Sequence, residues 1–192
     1  FGVPIIFKNL LAKHQVERIY STIGRDVPKE YMKGGSSSSP GKKVVNTADY
    51  NVKQSKIAIG SGGLAGKGLL KGTQTRYGFV PEQRTDFIFD TIGEGFGFIG
   101  SFVLLSIYLL LLFRIIAVAE RQRSVFSRCY AYGVAAVFFF HIGINIAMTI
   151  GLAPVIGIPL PFISYGGTSL LTFTILLFIL IRLDADRQMV LR

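Results

Sequence analysis

Three carboxylates enter an otherwise apolar stretch in "RTDFIFDTIGEGFGFIG", residues 84–100: Asp86, Asp90 and Glu94, spaced i, i+4 and i+8. On a helix that starts near Thr85 this spacing puts all three on one face. Acids are favourable in a first helical turn, where free amides and the dipole leave partial positive charge, and Thr85 or Asp86 is a competent N-cap. That covers Asp86 and leaves Asp90 mostly to the helix dipole. Glu94 lies two turns in, at the edge of a lipid phase, where an ionised acid costs at least a few kcal/mol unless it faces protein, water or a cation. A polar cavity is therefore expected at Glu94, with Arg84 and Arg76 available as partners. A carboxylate held where water meets lipid, among basic residues, suits a general base acting on an amphipathic lipid-linked substrate. It suits a proton-coupled transporter equally well, and spacing does not choose.

Two further patterns bear on chemistry. In "DYNVKQSKIAIGSGGLAGKGLLKGTQTRYGFVPEQRTD", residues 49–86, Gly60, Gly62, Gly63, Gly66, Gly68 and Gly72 alternate with Lys67 and Lys71. Glycine-rich turns expose amides that, with nearby lysines, can contact phosphate oxygens. The Walker spacing and its preceding strand are missing, so alone this is a weak signal. Further on, His141, Asn145 and Thr149 recur at i+4 on one helix face; interhelical hydrogen bonding is the favoured reading of that track.

These residues need elements to hold them, and the elements are membrane helices. Half of the 192 residues are hydrophobic, 16 of them Phe, which is too apolar for an ordinary soluble domain. Nineteen residues from Gly95 to Phe113 carry no formal charge, enough to approach the roughly 30 Å hydrocarbon thickness. After Arg128 the next Lys, Arg, Asp or Glu is Arg182, 53 uncharged positions later, so two spans share that stretch. The break is expected in "GLAPVIGIPLPFISYGG", residues 151–167, where Pro154, Pro159 and Pro161 remove amide donors. The expected fold is an all-α polytopic helical bundle with spans near 91–113, 130–150 and 167–183, an outer hairpin at 151–167, and a membrane region covering 87–192.

Arg114, Arg121, Arg123 and Arg128 against Glu120, and Arg182, Arg187 and Arg192 in the tail, face the cytoplasm by the positive-inside rule. Residues 8–86 then form a large outer loop. Its basic character fits anionic lipid headgroups, a diphosphate-bearing substrate or simple solvation; nucleic acid is not an expected partner outside a membrane. Within it, 8–26 has the pattern of a short amphipathic helix and 33–43, "KGGSSSSPGKK", that of a flexible linker. Residues 1–7, "FGVPIIF", are too few to cross a bilayer and read as the end of a preceding span. With no basic n-region or cleavage site, no signal peptide is expected, and the chain reads as part of a longer protein. The single Cys129 excludes an internal disulfide and a cysteine metal cluster.

"HIGINIAMTIGLAPVIGIPLPFISYGGTSLL", residues 141–171, resembles the signature of the SEDS family (RodA, FtsW, SpoVE), and residues 50–89 are similar to its RodA branch, notably in "QSKIAIGSGG" and "KGTQ". The resemblance covers roughly residues 49–183. It implies a peptidoglycan glycosyltransferase of about ten spans in the bacterial cytoplasmic (inner) membrane, of which this chain is the C-terminal part. Such an enzyme polymerises lipid II at the outer face during cell elongation, with a class B penicillin-binding protein as partner. The family's essential outer-loop acid falls on Asp86. The resemblance then makes Asp86 the base that deprotonates the acceptor's sugar 4-hydroxyl, with undecaprenyl diphosphate leaving from C1 of the donor. Basic residues, with Arg84, Lys67 and Lys71 as candidates, or a divalent cation (Mg or Mn) held by a carboxylate, would offset the leaving charge. No dedicated metal ligands are assigned. Glu94 lines the cavity as a further substrate contact, and the "PFISYGG" hairpin lines it from outside, with Ser164 and Tyr165 offering hydrogen bonds.

Three positions depart from the family pattern. Arg84 stands where His is common, Glu94-Gly95 where a Glu pair is common, and Asp90 where a small residue is usual. Two other functional classes compete with the transferase: a lipid II flippase using the same cavity without bond formation, and a non-catalytic scaffold for the penicillin-binding protein.

Overall fold

The structure is a computed structural model that describes residues 47–68, 71–77 and 84–189. The expectations for residues 1–7, the amphipathic 8–26 and the linker 33–43 fall outside the described residues. Those residues form five helices: α1 (Thr47–Ser61), α2 (Thr73–Arg76), α3 (Ile88–Glu120), α4 (Val125–Ile150) and α5 (Gly167–Met189). Among the described residues, α3, α4 and residues Gly167–Asp186 of α5 are long and apolar enough to cross a membrane.

The spans pack through one face each. On α4 the buried residues Ala131, Val134, Ala135, Phe138, Ile142, Asn145, Met148 and Thr149 recur at three- and four-residue steps, the stripe expected of a helix with one protein-facing side. Small Ala131 and Ala135 let the neighbouring backbone approach. Tyr108, Ile115 and Ala119 of α3, Leu160, and Phe173 and Leu180 of α5 complete this core. The other faces carry exposed Phe98, Phe102, Leu110, Phe113, Phe139 and Phe178, the surface a lipid phase or further spans would cover. At one end Arg121 and Gln122 both reach Asp184 of α5, Gln122 Nε2 donating over 2.9 Å, which ties the α3–α4 turn to the last span.

Helix α3 is not continuous. Gly97 has φ 65° and ψ −158°, which breaks the helix into a short N-terminal piece bearing Asp90 and Glu94 and a long apolar piece. The apolar piece, about 23 residues, rises ~34 Å and by itself matches the ~30 Å hydrocarbon layer. An unbroken helix would pair the amides of Phe98 and Ile99 with the carbonyls of Glu94 and Gly95. Here the loop after α1 takes both sides of the gap. Lys67 N donates to Glu94 O (3.0 Å) and Gly68 N to Gly95 O (2.9 Å), while Phe98 N donates to Gly63 O (2.9 Å) and Ile99 N to Leu64 O (3.1 Å). The helical pairing of these four groups is replaced by four loop–helix bonds, so none of the four is left for lipid to desolvate.

That docking explains the glycines of the loop. A Cβ on Gly66, already at φ +78°, would overlap the Gly95 carbonyl, and one on Gly97 would overlap Gly66 N and Leu64 O. The amides proposed from sequence as phosphate contacts are thus donated to α3 at Lys67 and Gly68. Helix α4 stops at Gly151, whose left-handed φ of 79° lets Leu152 N return to Ala147 O.

Gly66→Ala is expected to cost at least ~2 kcal/mol, through strain at positive φ and loss of the loop–helix bonds. Gly133→Ala, where a Cβ meets nothing within 4 Å, should be neutral or stabilising by up to ~1 kcal/mol. Thermal unfolding of the two variants in detergent checks the contrast.

Candidate functional site

The carboxylate stripe divides once the helix start is located. Helix α3 begins at Ile88, with Phe87 at the N-cap and no side-chain cap bond, not at Thr85. Phe87 buries its ring almost completely, and the residues before it turn away from the helix axis toward the 151–166 hairpin. Asp86 therefore lies off the helix, and only Asp90 and Glu94 share its face.

Asp90 keeps a place in the first turn of α3, where the helix dipole favours it, and has side-chain partners besides. It is fully buried and 2.7 Å from Ser55 Oγ of α1, which also lies 2.7 Å from the Thr149 carbonyl of α4. Ser55, a residue that sequence reasoning passed over, joins three helices at one point. Glu94 is also fully buried, and the loop rather than an open cavity surrounds it. Its carboxylate accepts from Gln74 N (3.1 Å) and Thr75 N (2.9 Å), the free amides at the start of α2, and from Lys67 Nζ (3.2 Å). Lys67 Nζ also donates to Ser61 Oγ over 2.8 Å. The negative charge that lipid would penalise is thus neutralised by a cation and two amides.

Asp86 sits between the spans and the hairpin, half-buried. Its backbone carbonyl accepts from Asn145 Nδ2 (2.9 Å), which also donates to Ile158 O (2.7 Å). Two residues earlier, the Arg84 carbonyl accepts from Tyr165 N (2.9 Å). The carboxylate itself rests on Gly157, at φ +78°, where a Cβ would stand 3.0 Å from Asp86 Oδ2.

The hairpin is held by its carbonyls. Asn145 takes Ile158 O, Tyr108 Oη donates to Pro161 O (2.6 Å), and His141 Nδ1 lies 3.4 Å from Pro159 O. With prolines removing amides, carbonyls are what such a segment must satisfy near lipid. Phe162 adopts φ 63°, a strained value for a side chain of this size, with its ring against Phe138 and Phe173. Hydrogen bonding is thus what His141 and Asn145 do; the Thr149 hydroxyl turns back to Ile146 O.

The other expected site residues are dispersed. Ser164 is buried and its Oγ accepts from Leu160 N (2.7 Å), closing the hairpin turn. Tyr165 is exposed, as are Lys71 and Arg84. A cleft of about 550 Å³ opens between the loop, α2, the N-terminal piece of α3 and the hairpin, lined among others by Thr75, Arg76, Thr91, Phe96 and Ile163. Among the described residues no three His, Cys, Asp or Glu side chains gather as a metal site.

Together these features define a multi-pass helical membrane protein with a polar layer at one end of its spans. The chain belongs to the FtsW, RodA and SpoVE family, whose model, described as "Cell cycle protein", matches residues 36–189. It is 44% identical over 142 residues to the peptidoglycan glycosyltransferase MrdB of Escherichia coli K12, covering 74% of this chain and 38% of that protein. It is 41% identical over 138 residues to the peptidoglycan glycosyltransferase RodA of Treponema pallidum, covering 72% and 32%. Among solved structures, a chain from a study of how a peptidoglycan synthase complex coordinates polymerization and crosslinking superposes with a TM-score of 0.70 at 26% identity, over 96% of this chain and 46% of that one. A mutant of the Thermus thermophilus rod shape determining protein RodA gives 0.55 at 32% identity, over 64% and 38%. The chain spans well under half the length of these curated relatives.

Glu94→Ala orphans Gln74 N and Thr75 N and takes the counter-charge from Lys67, which keeps its Ser61 bond, whereas Lys67→Ala leaves the acid its two amides. The first is expected to cost about 2–4 kcal/mol and the second about 1 kcal/mol. Unfolding midpoints of the two variants, together with protease sensitivity of the 61–77 loop, check the order.

Proposed function

We propose that this chain carries the acid and outer layer of a peptidoglycan glycosyltransferase in the bacterial cytoplasmic membrane, with the 49–86 segment on the outer side. The substrate is lipid II and the partner a class B penicillin-binding protein. The observation that carries the reading is Asp86: a half-buried carboxylate whose peptide is tied to the hairpin and α4, just before a membrane span. Support for the activity comes from relatives at 41% and 44% identity that are named peptidoglycan glycosyltransferases.

In this reaction Asp86 accepts the proton of the acceptor's sugar 4-hydroxyl as that oxygen bonds to C1 of the donor. The bond from C1 to the diphosphate oxygen breaks, and undecaprenyl diphosphate leaves with the electron pair. A positioned base contributes roughly 10²–10⁴-fold. Arg84 and Lys71, exposed on the outer layer, offset the charge that develops on the diphosphate. Lys67 is engaged with Glu94, so its part is to hold the loop, and Glu94 supports the site through the same contact. Ser164 shapes the hairpin turn and leaves exposed Tyr165 to meet substrate.

In full-length protein with its penicillin-binding partner and lipid II, Asp86→Asn is expected to lower glycan polymer formation by about 100-fold or more. Unchanged polymer would remove Asp86 as the base. Lipid scrambling that persists in this variant while polymer is lost would separate the acid from any transport activity.

A further inference from the structure

We infer that Asn145 is a positioning residue for the Asp86 carboxylate, an inference that rests on the reading of Asp86 as the base. Asn145 is fully buried on α4, one turn from His141, and its Nδ2 donates to Asp86 O at 2.9 Å and to Ile158 O at 2.7 Å. Both partners are carbonyls, so the amide has one workable orientation: nitrogen toward them, oxygen away. Asn145 Oδ1 has no protein partner, which leaves the two donated bonds as the side chain's whole hydrogen-bonding yield in this chain. One rigid span thereby joins the peptide of Asp86 to the hairpin residue next to Gly157, and Gly157 is where the Asp86 carboxylate rests. Arg84 is pinned to the hairpin by the Tyr165 amide, but that bond lies two residues upstream of the Asp86 peptide. Asn145 holds that peptide itself, through its carbonyl, without donating to the carboxylate. Its effect is therefore on where the base stands relative to the acceptor hydroxyl.

Side chains at this position that keep the size but lose a donor separate positioning from bulk. Asn145→Asp is isosteric and, in either protonation state, cannot donate both bonds; Asn145→Leu donates neither. In full-length protein with its penicillin-binding partner and lipid II, both are expected to lower kcat by about 10- to 100-fold, the scale of an ångström-sized displacement at a reacting centre. KM for lipid II should stay within about 3-fold, because the carboxylate's position alters the chemical step more than substrate capture. Thr149→Val, one turn along the same face, whose hydroxyl bonds only within α4, should keep kcat. The inference is overturned if both Asn145 variants retain wild-type kcat, if their loss appears in KM rather than kcat, or if Thr149→Val loses kcat equally. Asp86→Asn measured in the same assay keeps the two claims apart. Full activity there sinks the base assignment itself, whereas loss in Asp86→Asn with wild-type kcat in both Asn145 variants sinks only the positioning role.

Discussion

The polar layer of this protein depends on a helix that is broken and a loop that completes it. At Gly97 the first described membrane helix gives up its own pairing, and the glycine-rich loop supplies partners for the Phe98 and Ile99 amides and the Glu94 and Gly95 carbonyls. Near lipid an unpaired peptide group costs several kcal/mol, so loop and helix form together or neither is stable. The exchange also explains how acids sit at the threshold of a membrane span. The residues before the break belong to a hydrogen-bonded polar layer, and Glu94 there meets Lys67 and the start of α2 instead of hydrocarbon.

From this layer the rest is assembled by shared carbonyls. Ser55 and Asp90 fix α1 against α3 and α4. Side chains from the spans, Tyr108 and Asn145, hold the proline-rich hairpin by its backbone, and Phe162 accepts a left-handed conformation to place its ring in the aromatic cluster. Asp86 is presented at the meeting of these parts, off the helix axis and against a glycine. A carboxylate in such a place is held by the backbone on both sides of it while its side chain stays half-exposed.

The spans were legible because runs such as 129–181 exclude charge, and a bilayer demands that of any lipid-facing helix. The end of α4 was legible through Gly151 and the prolines that follow. The helix start was not: Thr85 and Asp86 are good caps by type, but burial of Phe87 moved the start to Ile88 and took Asp86 off the stripe. Local propensity yielded there to a tertiary contact. The destination of the glycine-rich loop was hidden for a related reason, since partners about thirty residues apart leave no periodic trace. Glycine and lysine advertise exposed amides, but only the fold decides whether phosphate or a broken helix receives them. The i+4 track of His141 and Asn145 did signal hydrogen bonding, yet its target, carbonyls of an irregular segment, has no sequence signature.

Residue-resolved hydrogen–deuterium exchange of the full-length protein in detergent tests the central claim, that the loop completes the broken helix. The amides of Lys67, Gly68, Phe98 and Ile99 should be protected to a similar degree and lose protection together in Gly66→Ala. Fast exchange at Lys67 and Gly68 beside protected Phe98 and Ile99 in the unaltered protein would contradict it.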